Sequence, residues 1–186
     1  MNLVVAVTGA TGMHAARLLV ERAPWPVTLV ASAQGRAVYE HECGAFAPLA
    51  ARAAAVYADS DLTAPIASGS VPTRGLVILP CSANTLGKIA HGIGDTLITR
   101  AAQCHLKERR PLILCVRETP WSLINLQGAV NVAAAGGIIM PLSPPFYMTA
   151  GREAASVTMD DLLKAYVDRV LALLGHEAAA NWGTVR

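Results

Sequence analysis

The 186-residue chain lacks any apolar run that approaches the roughly 20 residues needed to span a bilayer. It also lacks a leader-like start, since strand-like residues begin at Leu3 with no basic segment before them. These two absences argue against a membrane-spanning helix and a secretory signal. They predict a cytoplasmic protein without a membrane partner.

Charge is scarce as well. Charged residues make up 15% of the chain and the net charge is only +2, with no basic stripe that alternates with aromatics. A nucleic-acid partner is therefore not expected. Hydrophobic residues reach 53%, which is high for a monomer with so few charges. We expect a wide parallel sheet with helices on both faces, and part of the surface covered by sister subunits in a homo-oligomer.

The cysteines form no closely spaced pair. They are Cys43, Cys81, Cys104 and Cys115. Without a secretory signal they are expected to be reduced thiols, and no spacing typical of zinc ligands is present. Repeats, low-complexity tracts and linkers are lacking too. We therefore predict no metal and one domain spanning residues 1–186.

Strand-like and helix-like segments alternate along the chain. Strands are predicted at 3–7, 27–31, 75–79, 112–116 and 138–140, while 48–58 is hard to assign, with a short third strand at 54–58 as one interpretation. Helices are predicted between them, including one at 121–135 with Pro120 at its start. The last helix, at 159–174, is amphipathic, with one face formed by Leu162, Leu163, Tyr166, Val170 and Leu173. This pattern predicts an α/β fold, a three-layer Rossmann-like (flavodoxin-like) parallel sheet with helices on both faces. From the residues alone, the tail at 175–186 is expected to fray.

Three strand ends carry small polar residues. The turn from Thr8 to Gly12 precedes a helix, and it is either an anion cradle or an ordinary strand-to-helix turn. Ser32 follows the second strand, where a dinucleotide site would carry an acidic residue, so NAD is disfavoured and a mononucleotide stays open. Ser32 either contacts a cofactor or caps the next helix. The segment from Ser82 to Thr85 offers hydroxyl and amide groups to a phosphate or a flavin edge, or caps its helix.

The stretch from Leu106 to Pro120 combines a buried strand with charged residues on both sides of it, and it carries the strongest indication of a functional site. Its strand at 112–116 is apolar throughout, as expected for burial on both faces. Arg117 and Glu118 then follow at the carboxyl end of the strand, where open α/β sheets bind ligands. They indicate an anion site with an acid or base beside it, or a structural ion pair. Lys107 and its basic neighbours either bind an anion or form the basic end of a helix.

Several motifs in series resemble the flavin prenyltransferases, the UbiX family, which lies within the flavoprotein superfamily of the flavin-dependent cysteine decarboxylases. The Lys107–Pro120 block is the most specific of them. The others are Thr8-Gly9-Ala10-Thr11-Gly12, Leu79-Pro80-Cys81-Ser82 with Thr85-Leu86, and Pro145-Phe146-Tyr147. The resemblance implies an enzyme that joins a dimethylallyl group from dimethylallyl phosphate to N5 and C6 of reduced FMN. The product, prenylated FMN, would serve a UbiD-type decarboxylase, and the expected assembly is a dodecamer.

The resemblance also assigns roles to individual residues. It implies FMN contacts for Gly9, Ala10, Thr11, Ser32, Ser82, Ala83, Asn84, Thr85 and Arg117. It implies prenyl phosphate contacts for Arg100, Tyr147 and Arg169, and a place near the site for Trp182, against the expectation of a frayed tail. Glu118 is expected to move the C6 proton as general acid/base. Lys107 is expected to meet the charge of the leaving phosphate.

The chain departs from the family pattern in four places. Thr11 replaces a serine, Met13-His14 follows the turn, Leu62 replaces an aromatic residue, and residues 151–157 lengthen the segment after Tyr147. An alternative function is a non-catalytic FMN-binding accessory or carrier subunit of an aromatic acid decarboxylase or carboxylase. A third is a flavin-dependent cysteine decarboxylase. The resemblance implies that this branch has a catalytic histidine in the loop before the fourth strand, and it is disfavoured because the loop at 62–73 contains none.

Overall fold

A computed structural model describes residues 1–177 of the chain. Its centre is a six-stranded, all-parallel sheet with the strand order β3-β2-β1-β4-β5-β6. The strands are β1 (Leu3–Val7), β2 (Val27–Ala31), β3 (Ala55–Ala58), β4 (Gly75–Cys81), β5 (Leu112–Val116) and β6 (Ile138–Ile139). The chain order reverses direction between β1 and β4, which creates the crevice where such sheets bind ligands.

Helices cover both faces of the sheet. They are α1 (Met13–Arg22), α2 (Ala33–Cys43), α3 (Ala47–Ala50), α4 (Ala83–Ala90), α5 (Leu97–Lys107), α6 (Leu123–Ala134) and α7 (Met159–Leu173). Short 3-10 turns lie at 65–67, 146–149 and 154–156. Alternate residues of β1 point into two buried clusters, one that includes α1 and α7 and one that includes α4 and α5. The predicted three-layer α/β fold is therefore confirmed.

The central strands are apolar because they are buried on both faces. Every residue of β1, β4 and β5 is buried. Polar residues are instead placed where the strands end and the helices begin. Side-chain oxygens cap five helices, from Ser32, Ser82, Thr96, Ser122 and Thr158.

Some predicted boundaries were wrong. Strand β4 continues to Cys81, and β6 ends at Ile139. Helix α6 begins at Leu123 rather than 121, because Ser122 and Asn125 form a capping box there. Pro120 therefore lies ahead of the helix rather than at its first position.

The buried face of α7 also differs from the prediction. Tyr166 and Val170 are buried as expected, whereas Leu162, Leu163 and Leu173 are only partly buried. Ala165, Val167 and Leu171 complete the buried face instead. Trp182 and most of the tail that was expected to fray lie outside the described residues.

Within residues 1–177, no helix has both the length and the apolar character required to traverse a bilayer.

Candidate active site at the carboxyl edge of the sheet

Two turns meet at the carboxyl edge, the side of the sheet where the strands end. The hydroxyl of Thr8 donates to the carbonyl of Pro80 at 2.9 Å. The amide of Ser82 in turn donates to the Thr8 hydroxyl oxygen at 2.8 Å. These bonds hold the glycine turn after β1 against the polar segment after β4.

A cavity of about 310 Å³ opens between these turns. We call it the hydroxyl cavity, because most of its polar side chains are hydroxyls. Its lining consists of Thr8, Gly9, Ser32, Ala33, Gln34, Asp59, Ser82, Asn84, Thr85, Lys88, Thr96, Ile98 and Thr99. Five of the nine residues predicted to bind FMN thus lie around one space, namely Gly9, Ser32, Ser82, Asn84 and Thr85.

Gly9 lies where a side chain does not fit. A Cβ atom at this position would lie 2.9 Å from the Cβ of Gln34, at the start of α2. The turn therefore exposes main-chain atoms without a side chain where Gly9 lines the hydroxyl cavity. A ligand can approach the main chain there without meeting a side chain.

Helix α1 does not offer its first amides to a ligand. The carboxylate of Glu42 accepts from the amide of Gly12 at 3.0 Å and from that of Met13 at 2.8 Å. The anion-cradle interpretation of these two amides was therefore wrong, since the chain fills the position with its own carboxylate. Next to this contact, the Nδ1 atom of His14 lies 3.6 Å from the Sγ atom of Cys43, and neither lines the hydroxyl cavity.

Ser32 and Ser82 both cap helices and face the cavity. The Oγ atom of Ser32 accepts from the amide of Gly35 at 3.0 Å. The Oγ atom of Ser82 accepts from the amide of Thr85 at 3.2 Å and lies 3.0 Å from that residue's hydroxyl. A hydroxyl that accepts from a helix amide keeps its own proton to donate. The two interpretations of these serines are thus compatible.

Arg117 extends the site beyond the cavity. Its amide donates to the carbonyl of Cys81 at 3.0 Å, which places it beside the end of β4. Its Nε atom is buried and has no hydrogen-bond partner in the described structure. An unmet buried donor costs free energy that an acceptor on a ligand would recover.

Glu118 follows directly after Arg117. Its carboxylate accepts from the amide of Thr119 at 3.1 Å. Within residues 1–177 no ion pair joins the Glu118 carboxylate to the Arg117 guanidinium, so the structural ion pair is not formed in this chain. The carboxylate is partly exposed at the carboxyl edge.

The segment that carries Tyr147 runs along the same edge. The amide of Leu142 donates to the carbonyl of Val116, at the end of β5, at 2.9 Å. The side chain of Leu142 reaches the glycine turn, where a Cβ atom on Gly12 would clash with it. Tyr147 itself is partly buried in the 3-10 turn at 146–149, which contacts α7.

The other predicted phosphate ligands do not converge within one chain. Arg100 lies in the first turn of α5, close to the cavity, and its Nε atom donates to the carbonyl of Ala67 at 3.1 Å. Arg169 is exposed on α7. Lys107 ends α5 ahead of β5, at the amino edge where the strands begin, and pairs with Glu108. Trp182 lies outside the described residues.

Residues 151–157 fold against the start of α7. The guanidinium of Arg152 donates to the carbonyl of Ser156 at 2.7 Å and to the carboxylate of Asp161 at 3.1 Å. Hydrogen bonds from Thr158 lower the pKa of Asp161 well below its ordinary value. The longer segment is thus anchored to the helix cap by its own contacts.

Sequence reasoning missed several residues of the lining, among them Gln34, Asp59, Lys88, Thr96 and Thr99. Asp59 follows β3, and its carboxylate accepts from the amide of Ile98 at the start of α5 at 2.8 Å. The sequence did carry one signal for it, because an acidic residue directly after a parallel strand must lie at the carboxyl edge.

The buried thiols near the site are inert. Burial raises the pKa of Cys115 to about 12, and it raises the pKa of Cys81, beside Ser82, further still. Both thiols are therefore protonated at neutral pH and are not nucleophiles. No group of acidic, histidine or cysteine side chains within residues 1–177 is arranged to hold a metal ion. The arrangement is suited to binding a phosphate and an attached polar ring by hydrogen bonds.

Comparisons with known proteins agree with this chemistry. The flavoprotein family model matches residues 1–171. A flavin prenyltransferase UbiX from Thermoplasma acidophilum is 40% identical over 177 residues, which are 94% of this chain and 95% of the relative. A crystal structure of AnUbiX (PadA1) in complex with FMN and dimethylallyl pyrophosphate is 36% identical, with a TM-score of 0.89 and coverage of 97% and 96%. A dodecameric FMN-dependent UbiX-like decarboxylase from Escherichia coli O157:H7 is 35% identical, with a TM-score of 0.89 and coverage of 98% and 100%.

Proposed function

The chain belongs to the flavoprotein family and, within it, to the flavin prenyltransferases of the UbiX type, and we propose on this basis that it prenylates reduced FMN. The reaction joins a dimethylallyl group from dimethylallyl phosphate to N5 and C6 of the flavin. The bond from donor carbon C1 to the phosphate oxygen breaks and C1 bonds to N5, which loses its proton, so that inorganic phosphate leaves. The double bond of the donor then takes up a proton at C2 while C3 bonds to C6, and the C6 proton is lost.

The observation that carries this proposal is the pairing of the hydroxyl cavity with the unmet Nε atom of Arg117. The cavity offers hydroxyls, a bare glycine turn and a cation to the ribityl phosphate. Arg117 offers a buried donor to an acceptor on the flavin. The residues present therefore fit FMN, and reduced FMN supplies the nucleophilic N5 and C6 positions.

We assign the proton transfer to Glu118. Its carboxylate is held by the amide of Thr119 at 3.1 Å and is not neutralised by Arg117. A carboxylate in this position can accept the C6 proton as the second bond forms.

The prenyl phosphate needs cations that meet its growing negative charge as it leaves. We assign this role to Arg100, Arg169 and Lys107, with the hydroxyl of Tyr147 as a neutral hydrogen-bond donor to the phosphate. Because Lys107 lies at the amino edge of its own chain, it can act only in the site of a neighbouring copy. The proposed prenyl phosphate site is therefore shared between subunits.

A homo-oligomer also accounts for apolar surface on α6. Leu123 is 80% exposed, Ile124 76% and Val130 59%, and such a patch is typical of an interface. The neighbour from Escherichia coli is dodecameric, and we propose the same assembly here.

Trp182 is proposed to lie near the site, and a UbiD-type decarboxylase is the proposed recipient of the product. The free cysteines fit a reducing compartment, and we propose the cytoplasm.

Phosphate release tests the proposal. The protein is mixed with dimethylallyl phosphate under anaerobic conditions, with reduced FMN, with oxidised FMN or without flavin, and inorganic phosphate is measured. We expect release of one phosphate for each reduced FMN bound, and none in the other two mixtures. Release that does not depend on reduced FMN, or no release at all, would contradict the proposal and favour an FMN-binding accessory subunit.

A further inference from the structure

The charge balance of the hydroxyl cavity is uneven. A phosphate monoester carries close to two negative charges at neutral pH. Within the described part of the chain, the cavity lining contains one cation, Lys88, and one carboxylate, Asp59. Asp59 is turned toward α5, where it accepts from the amide of Ile98 at 2.8 Å. Lys88 is therefore the charge that decides whether a phosphate is stable in this space.

Lys88 is held in place from outside the cavity. Its Nζ atom donates to the carboxylate of Asp95 at 2.7 Å. Asp95 is not part of the lining of the hydroxyl cavity but lines a neighbouring surface cavity, and its carboxylate also accepts from the hydroxyl of Thr99 at 3.5 Å. The hydrogen bond from Lys88 lowers the pKa of Asp95 below its ordinary value.

The ammonium group of Lys88 can donate further hydrogen bonds to a ligand. A lysine carries three N–H donors, and one of them serves Asp95. Lys88 lies one turn along α4 from Asn84 and Thr85, so the three side chains share the helix face that lines the cavity. The hydroxyl-bearing residues Ser32 and Ser82 line the same cavity, so a charge and neutral donors border one space.

We propose that Lys88, positioned by Asp95, is the cation that binds the 5′-phosphate of FMN and makes the protein prefer FMN to riboflavin. This inference rests on the proposed flavin function and adds a residue that neither the motifs nor the resemblance assigns. In the protein without flavin, Asp95 holds the ammonium group ready. When FMN binds, the two remaining N–H donors of Lys88 meet the phosphate oxygens.

Flavin affinity is the direct test, because it does not depend on turnover. The dissociation constants of oxidised FMN and of riboflavin are measured by quenching of flavin fluorescence at low salt, for the wild type and for Lys88→Met. We expect the variant to bind FMN about tenfold more weakly, because it loses charge-assisted hydrogen bonds, and to bind riboflavin as before. Lys88→Arg is expected to restore most of the preference for FMN.

Two further variants sharpen the result. Lys164→Met removes a lysine that pairs with Asp160 at 2.6 Å on the surface of α7, and it is expected to leave both affinities unchanged. Asp95→Asn removes the competing charge but keeps an oxygen that accepts from Lys88 and so keeps the lysine in position, so FMN is expected to bind as tightly as before or about twofold more tightly. Markedly weaker riboflavin binding in this variant would show that Asp95 has a general structural role and would contradict its assignment as a positioning residue.

The outcomes separate this inference from the proposed function. If the wild type prefers FMN and Lys88→Met keeps that preference, the assignment of Lys88 is overturned while the FMN-dependent function stands. If the wild type binds neither flavin, both fail. Equal weakening of FMN and riboflavin in Lys88→Met would also overturn the inference, since it would indicate a general structural role.

Discussion

The two edges of the sheet both carry cations, but they use them differently. At the amino edge, the guanidinium of Arg110 donates to the carbonyls of Val71 at 2.7 Å and Gly69 at 2.5 Å, and Lys107 pairs with Glu108. At the carboxyl edge, the buried Nε atom of Arg117 has no hydrogen-bond partner among residues 1–177, and Lys88 gives Asp95 one of its three N–H donors.

A cation with a structural role can be distinguished from one that binds a ligand by whether its N–H donors already have hydrogen-bond partners in the protein. Both edges look basic in the sequence, and the block from Lys107 to Arg117 contains cations of both kinds. What separates them is the fate of their N–H groups. The N–H groups of Arg110 donate to backbone carbonyls of the loop before β4. The Nε–H group of Arg117 has no partner among the described residues and is available to a ligand. The predictions below test this contrast.

The largest effect is expected for Glu118→Gln. The amide cannot accept the C6 proton, so turnover should fall by a factor of about 100 to 10,000 while FMN binding is unchanged. The measurement is single-turnover formation of prenylated FMN under anaerobic conditions. Glu21→Gln, on the surface of α1 where Glu21 pairs with Arg17 at 3.2 Å, is the matched control and should retain turnover. Unchanged turnover in Glu118→Gln would remove Glu118 from its role.

Arg110→Ala should affect stability rather than flavin binding. It removes hydrogen bonds from a charged group to two backbone carbonyls, at an expected cost of about 2 kcal/mol in the free energy of unfolding. The measurement is urea denaturation of the flavin-free protein together with FMN affinity. A variant with full stability but weak FMN binding would reverse the assignment of the two edges.

Arg117→Met is expected to show the opposite pattern. The substitution removes the buried Nε atom that lacks a partner, so the flavin-free protein should be as stable as the wild type or more stable. FMN should bind about tenfold more weakly, because a charge-assisted bond to the flavin is lost. Titration with FMN and urea denaturation measure the two effects. Marked loss of stability with unaltered FMN affinity would contradict the comparison.

Lys107→Ala sharpens the comparison, because Lys107 is the one amino-edge cation that we assign to a site. If it acts in a neighbouring copy, the affinity for dimethylallyl phosphate should fall several-fold while FMN binding and stability hold. Isothermal titration of the FMN-loaded protein with the donor measures this. An unaltered donor affinity would place Lys107 with Arg110 as a structural residue.

Much of the fold could be predicted from the sequence. The strands at 3–7, 27–31 and 112–116 have their predicted bounds, because strands buried on both faces of a parallel sheet are almost entirely apolar; Thr28 is the one polar residue in these three. The start of α6 was missed because the capping box of Ser122 and Asn125 outweighed the position of Pro120. That residues 1–186 form one domain stays a prediction.

Residues of the site could be predicted from the sequence only where they directly follow a strand. Ser32 and Ser82 were found because each follows a strand, and the structure places both around the hydroxyl cavity. The contact of Glu42 with the start of α1 was not found, since it joins residues about 30 positions apart. The role of Lys88 depends on which helix faces the crevice, and the pattern of one sequence does not give that.

The mass of the flavin tests the central claim most directly. The protein is mixed with reduced FMN and dimethylallyl phosphate without oxygen, and the bound flavin is then released and weighed by mass spectrometry. The account predicts FMN that has gained one dimethylallyl unit, with no gain when Glu118→Gln is used. Bound but unmodified FMN in the wild type would contradict it, and would mean that the carboxyl edge holds flavin without transferring a prenyl group.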